Sequence, residues 1–385
     1  MTTKSYDIAI IGAGPGGCAC ALALHGSGLR VVMVDKDIFP RDKICGDAIP
    51  GLAFKAMDKI NSQWGYAMRQ FIEKEDIRTA KIYTPNNKII TLDWVTYAYN
   101  SKRLNFDNFL FQLVKEETNT VIFENKRLQK VTVESDGVQC QFQDNLLINA
   151  ALVIGCDGAN SMVMRQLGCI DLQNATSCAA VRTYYHGIEG LKTGVNEFHF
   201  FKDLLPGYFW IFPLENGWAN VGFGILNTKT SKNKKKVKLR DTLKMITTTL
   251  PSIAPRFKNA QLMDSTKGFA LPLGTQKLPI SGHRFMLCGD AASLIDPLQG
   301  HGIDNAMWCG LFAAKQATEC FKKDNFEALF MAEYDNAVYK KIGSELATNT
   351  FIMSIFSRFP SLFNAFGWVG QNQKLMQWIA RILKV

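Results

Sequence analysis

Two glycine-bearing stretches, far apart in the chain, have the spacing to bring backbone close to a ligand. In GAGPGG, residues 12 to 17, Gly12, Gly14 and Gly17 stand in GxGxxG spacing with Pro15 and Gly16 between them. The stretch follows the β-branched run YDIAII and precedes an alanine-rich segment, Cys18 to Gly28, that reads as a helix. In that setting Gly12 permits a tight turn and Gly14 admits backbone N–H groups to a pyrophosphate. Gly17 lets helix and strand pack closely, and the positive end of the helix faces the phosphates. The next apolar run, RVVMVDK, ends in Asp35 and Lys36, with Asp35 18 residues beyond Gly17. A carboxylate there accepts hydrogen bonds from a ribose and repels a 2′-phosphate, so a dinucleotide is implied, FAD and NAD being served equally.

The second stretch, CGDAASLIDPLQGHGIDNAM from Cys288 to Met307, lacks GxGxxG spacing and has no acid-ended strand after it. It therefore reads as the far wall of the first site rather than a second nucleotide loop.

These residues need a scaffold. The strand, turn, helix and strand around Gly12 imply a parallel sheet, and ALVIGCDG and RFMLCGD return to buried-strand character. Between them, residues 76 to 96 and 178 to 224 alternate polar with aromatic or β-branched residues, as antiparallel strands do. The fold expected is α/β: a Rossmann-type domain from residues 1–75, 98–170 and 276–340, interleaved with an antiparallel β-sheet substrate domain at 76–97 and 171–275. A C-terminal helical tail, 341–385, closes the chain. This aromatic, mildly basic tail reads as packed helices, with a lipid-facing surface as the alternative.

Composition narrows the class. The apolar fraction is 47% and the formal charge +10, but seven basic residues fall in the run Lys229 to Arg240, which reads as a solvated segment rather than a nucleic-acid surface. Ten cysteines form no CxxC pair and only five histidines are present, so no zinc pattern emerges and a reducing cytoplasm is expected. No run reaches the roughly 18 apolar residues of a spanning helix, which predicts a soluble or peripheral protein.

Taken together, PRDKICGDAIP (40–50), SKRLNFDNFL (101–110), GCDGANSMVMRQLG (155–168) and the stretch from Cys288 to Met307 resemble the geranylgeranyl reductase family of the p-hydroxybenzoate hydroxylase fold, from about residue 5 to about residue 340, and PGYFWIFPLENGWANVGFG (206–224) resembles a signature of that family. The resemblance implies FAD. It implies that Arg103 contacts the pyrophosphate or ribityl region, a surface ion pair with Asp107 being the bland alternative. Asp157 and Gly158 match the family's DG motif, with Arg165 on the next helix. Gly289 and Asp290 match the segment whose acid holds the ribityl chain, and Pro297, Gly300, Gly302 and Ile303 bring amides beneath the flavin ring. A helix starting there aims its positive end where charge gathers on reduction. His301, between these glycines, reads as a neutral spacer.

Cys45 and Gly46 run toward the substrate face, Cys45 being either a proton donor or a small residue tolerated near the ring. Tyr208, Trp210 and Phe212, in the family's P-x-Y-x-W-x-F-P signature, fall on one strand face and form an apolar wall for an elongated substrate. The activity implied is reduction of carbon-carbon double bonds in an apolar, isoprenoid-like substrate. With no second dinucleotide motif, the electrons come from an external donor, NAD(P)H or a redox protein. A monooxygenase of the same fold and an electron-transfer flavoprotein stand as alternatives. A halogenase is a weaker one, since the related W-x-W-x-I-P signature has Tyr208 and Phe212 here and no assignable lysine.

Overall fold

The run Ile8 to Ile11 is almost wholly buried because it lies in the middle of a parallel sheet covered on both faces. The computed structural model describes residues 2–168, 177–227 and 238–359. In it, strand Thr2–Ile11 pairs in parallel with Val31–Val34 on one side and Leu146–Gly155 on the other. Val121–Phe123 extends the sheet past Val31–Val34, and Phe285–Leu287 extends it past Leu146–Gly155, both in parallel. The last pairing brings Cys288 and Asp290 beside the Gly12 turn, although more than 250 residues separate them in sequence.

Helix Pro15–Ala23 starts earlier and ends sooner than the alanine-rich stretch suggests, because Pro15 suits the first turn and needs no donor there. It packs against the long helix Ile303–Lys323, whose start carries the second glycine cluster. Gly310 makes this close approach possible, since a Cβ there would crowd the Ala19 side chain and the backbone of Gly16 and Cys20.

Among the described residues the second sheet has nine strands, and eight form one path in the order Gln261–Leu262, Ser177–His186, Trp218–Asn227, Gly207–Pro213, Val195–His199, Glu75–Tyr83, Ile89–Asn100 and Ala48–Ile49. Lys267–Pro272 pairs with Ser177–His186. The alternation that suggested antiparallel strands holds for all pairings but one: Val195–His199 runs parallel to Glu75–Tyr83. Alternation reports that one face is buried and the other is not, and carries no direction. Phe209, Ile211, Val221 and Phe223 point into a core beneath helix Leu239–Thr248, which leaves the other face for the cavity.

Helix Ala328–Arg358 runs on beyond the expected start of the tail at residue 341. The run Lys229 to Arg240 up to residue 237, Cys169, and the tail from Pro360 onward, including Gly367, lie outside the described residues. Among the described residues no helix is long and apolar enough to cross a membrane.

Candidate functional site

A cavity of about 1130 Å³ opens between the two sheets, and nearly every residue singled out from sequence lines it. These are Gly12, Gly14, Pro15, Gly16, Asp35, Lys36, Arg103, Asp157 and Gly158, together with Asp290, Pro297, Gly300, His301, Gly302 and Ile303 from the second glycine stretch. Gly17 and Gly289 do not line it. A Cβ at Gly17 would overlap the Gly12 carbonyl, and one at Gly289 would come within 2.6 Å of the Ala306 side chain, so both serve packing.

The lining glycines have different duties. Gly12 has φ +103° and a Cβ there would overlap the Cys156 carbonyl, so the turn itself demands glycine. Gly14 would meet only the Arg41 guanidinium, at 3.6 Å, so its missing side chain leaves the cavity wall open.

Charge is distributed with the same economy. Arg103 is nearly fully buried and grips Asp107 through two hydrogen bonds of 2.6 Å, while Arg41 adds a third at 2.8 Å. This replaces the surface pair considered from spacing alone: the i,i+4 geometry is right, but both partners lie inside. Against the upward push of burial, the two guanidiniums hold Asp107 below the usual carboxylate range. Two cations on one anion leave positive charge at the wall beside Gly14, which suits a pyrophosphate.

Asp35 accepts hydrogen bonds from the Ala13 N–H at 2.7 Å and the Asp37 N–H at 2.9 Å. Burial raises its carboxyl pKa, which those amides partly offset. Asp290 pairs with Lys43 at 2.9 Å. Asp157 accepts from the Met162 N–H at 2.6 Å and thereby fixes the turn into the helix Met162–Leu167, which carries Arg165.

His301 departs from the expected neutral spacer. Its Nδ1 lies 2.8 Å from Asp304 Oδ1, with Asp296 and Glu345 close enough to act on it. Burial opposes the charge, yet these carboxylates outweigh it and push the imidazole pKa up to about 10. Asp296 also accepts from the Leu298 and Gln299 N–H groups and from Asn349, which ties the glycine loop to the helix Ala328–Arg358.

The aromatic wall is where alternation put it. Tyr208, Trp210 and Phe212 share one face of Gly207–Pro213 and all border the cavity. Gly222, paired with Trp210 in the next strand, makes room for the indole, because a Cβ there would overlap it. Cys45 and Gly46 border the cavity next to this wall, with Gly46 facing the Phe212 ring. The apolar lining continues over the sheet face on both sides of this wall, past Phe198, Ile82 and Leu92 to Trp94 on one side and past Leu226, Phe269 and Leu271 to Met353 and Phe356 on the other.

A polar knot behind the wall was not anticipated. The Asn220 amide donates to the Cys45 carbonyl and to Asp47, each at 2.8 Å, and accepts from the Trp210 indole N–H at 2.9 Å. Tyr184 donates to the same Asp47 oxygen at 2.8 Å. Burial pushes Asp47 up to about 6, against these donors and the nearby Arg182. The clue available in sequence was Asp47 itself, an acid directly after CG and before an apolar pair.

Comparison with known proteins fits this geometry. A family model described as an FAD binding domain matches residues 5–308. Digeranylgeranylglycerophospholipid reductase 1 of Methanococcoides burtonii is 26% identical over 365 residues, covering 91% of this chain and 84% of that protein. Menaquinone reductase of Mycobacterium tuberculosis is 28% identical over 328 residues, covering 81% and 76%. Among solved structures, a geranylgeranyl bacteriochlorophyll reductase-like protein from Thermoplasma acidophilum superposes with a TM-score of 0.81 at 22% identity, over 100% of this chain and 92% of the other.

Proposed function

The chain belongs to the FAD binding domain family and is an FAD-dependent oxidoreductase, and on that premise we propose that it reduces carbon-carbon double bonds in a long apolar, isoprenoid-like substrate. The observation that carries the reading is continuity: the glycine-and-arginine cradle and the arm walled by Tyr208, Trp210 and Phe212 form one space. The motif resemblance to geranylgeranyl reductases agrees with the names of the relatives.

On this reading the amides after Gly12 and the positive charge of Arg103 and Arg41 hold the pyrophosphate, and Asp35 holds the adenosine ribose. Gly14, Pro15, Gly16, Lys36 and the Asp157–Gly158 turn complete that end. Asp290, kept in place by Lys43, takes the ribityl chain, and the segment Pro297 to Ile303 lies under the ring. When bound and reduced, FAD supplies a hydride.

The chain's own contribution is to bind, orient and exclude water. Tyr208, Trp210 and Phe212 press the alkene toward the cradle in an apolar space. Cys45 holds a proton at Sγ for delivery to the carbon opposite the hydride, and the Asn220 bond to its carbonyl fixes its position. Electrons arrive from an external donor, NAD(P)H or a redox protein, and the apolar substrate is met at a membrane surface.

Turnover under strict exclusion of oxygen tests the reading. A saturated product supports it, and an absolute oxygen requirement with a hydroxylated product replaces it with a monooxygenase.

A further inference from the structure

The apolar lining of the cavity reaches the outer surface of the sheet at strand Ile89–Asn100. Leu92, Trp94 and Thr96 alternate on the cavity side of strand Ile89–Asn100, and Trp94 and Thr96 also line a separate outer groove with Ile77, Arg78 and Val95. The same side chains thus border the interior and the exterior.

The sheet is interrupted at this point. Ile77 pairs with Ala98 and Thr79 with Asp93, so Arg78 alone stands opposite the four residues Trp94 to Tyr97. On its other edge the strand meets Ala48–Ile49 only at Asn100 and Tyr99. Among the described residues, therefore, no strand pairs with the bulged segment on either side. Bulges of this kind occur next to active sites, where they re-aim a side chain.

Nor does a hydrogen bond hold the indole: Trp94 Nε1 is buried and has no hydrogen-bond partner among the described residues. The ring is kept in place by apolar contact with the cluster of Ala80, Ile90, Leu92, Ile82 and Phe198. A longer apolar chain offers that cluster the same kind of contact and gives the indole N–H access to water in the groove.

We propose that Trp94 is the end-stop of the apolar arm and sets the length of chain the enzyme accepts, by closing a side opening in the sheet between the cavity and the outer groove. The proposal rests on the apolar-chain reading of the same site and adds a specificity-determining residue to it. Chain carbons reaching Trp94 stop gaining buried contact; with the indole removed, they continue into the groove.

The test uses the oxidised, FAD-loaded enzyme and two homologous ligand series, polyprenyl alcohols of increasing length and straight-chain alkanols, with dissociation constants read from the flavin absorbance change. Each buried methylene tightens binding by about fourfold, so affinity rises with length until the chain meets the wall and then levels off. In Trp94→Gly the levelling point moves to longer chains while short ligands bind as before, and Trp94→Leu, which keeps an apolar residue in the bulge, gives an intermediate shift and serves if the glycine variant does not fold. An unchanged levelling point in variants that retain FAD overturns the proposal. If prenyl chains fail to bind but alkanols show the shift, Trp94 keeps its role and the isoprenoid reading falls. If neither series binds the parent enzyme, both fall.

Discussion

Asp47 and Tyr184, 137 residues apart, are joined by a 2.8 Å hydrogen bond from the tyrosine hydroxyl to a carboxylate with no solvent exposure. Tyr184 belongs to the aromatic sheet and Asp47 follows the Cys45–Gly46 edge of the cradle, so this bond and the Asn220 bridge hold the two halves of the cavity in register. The ionised carboxylate is costly there, since burial raises its pKa from 3.8 to about 6. The folded protein therefore binds the Asp47 proton more tightly than the unfolded chain does. Its stabilising contribution is complete below about pH 4 and is lost as pH rises through about 6. Asp47→Asn removes this dependence. Asparagine also tolerates the positive φ of 66° at this position. Relative to the parent, the variant gains about 1–3 kcal/mol between pH 4.5 and 7.5, read from denaturant melts at the two pH values. A stability difference that does not move with pH would return Asp47 to an ordinary ionised group.

Gly12 and Gly14 separate folding from cofactor binding. Gly14→Val meets only the Arg41 guanidinium within the protein and projects into the cradle. It is expected to fold and to purify colourless, with the melting temperature of the FAD-stripped parent. Gly12→Ala forces a side chain into a left-handed turn against the Cys156 carbonyl and is expected to lose about 1–3 kcal/mol of stability even without cofactor. A Gly14→Val protein that stays fully yellow would contradict the placement of the pyrophosphate.

Tyr208 and Cys45 both border the cavity. Tyr208→Ala keeps FAD and raises the KM for the apolar substrate about 10- to 100-fold, the value of one large buried side chain. Cys45→Ala lowers kcat about 100-fold or more with KM little changed, as loss of a proton donor requires. Unchanged kinetics would return the tyrosine to the sheet core or the cysteine to a spacer.

His301 enters the alkaline side of the stability curve. Its pKa is raised to about 10, so the stability it contributes is complete below about pH 6.5 and is lost as pH rises through about 10. His301→Asn flattens thermal stability over that window. The charges facing the ring are Asp304 on its helix, Asp296 on its loop and Glu345 on the last long helix. A variant whose melting profile parallels the parent from pH 6.5 to 10 would show that the imidazole is not held charged.

What was legible in the sequence is what a local backbone requirement imposes. Gly12 must take a positive φ, Gly17 must lie against Gly12, and an alternating strand must turn Tyr208, Trp210 and Phe212 to one side, all over short spans. The Arg103 to Asp107 spacing was equally visible, but its burial was not. Arg103, Asp107, Leu110, Phe111 and Val114 fall along one buried stripe of a helix, and two charged residues in that stripe disguise it as a solvent face. The Asp47, Tyr184 and Asn220 knot was invisible because its members meet only after 137 and 173 residues of intervening chain have folded. His301 was misread for a different reason: its main partner Asp304 stands only three residues on, but that the two are buried together, with Asp296 and Glu345 adding to the effect, is a property of the fold.

The most direct measurement is a single anaerobic turnover of the stoichiometrically reduced enzyme with a polyprenyl lipid in deuterated water, following flavin reoxidation by absorbance and the product by mass spectrometry. The account predicts one double bond saturated per flavin reoxidised, with two deuteriums fixed on carbon, since the hydrogen carried by reduced flavin and the proton of the donor both exchange with solvent. Flavin that stays reduced until oxygen is admitted, followed by oxygen in the product and every double bond intact, would contradict it.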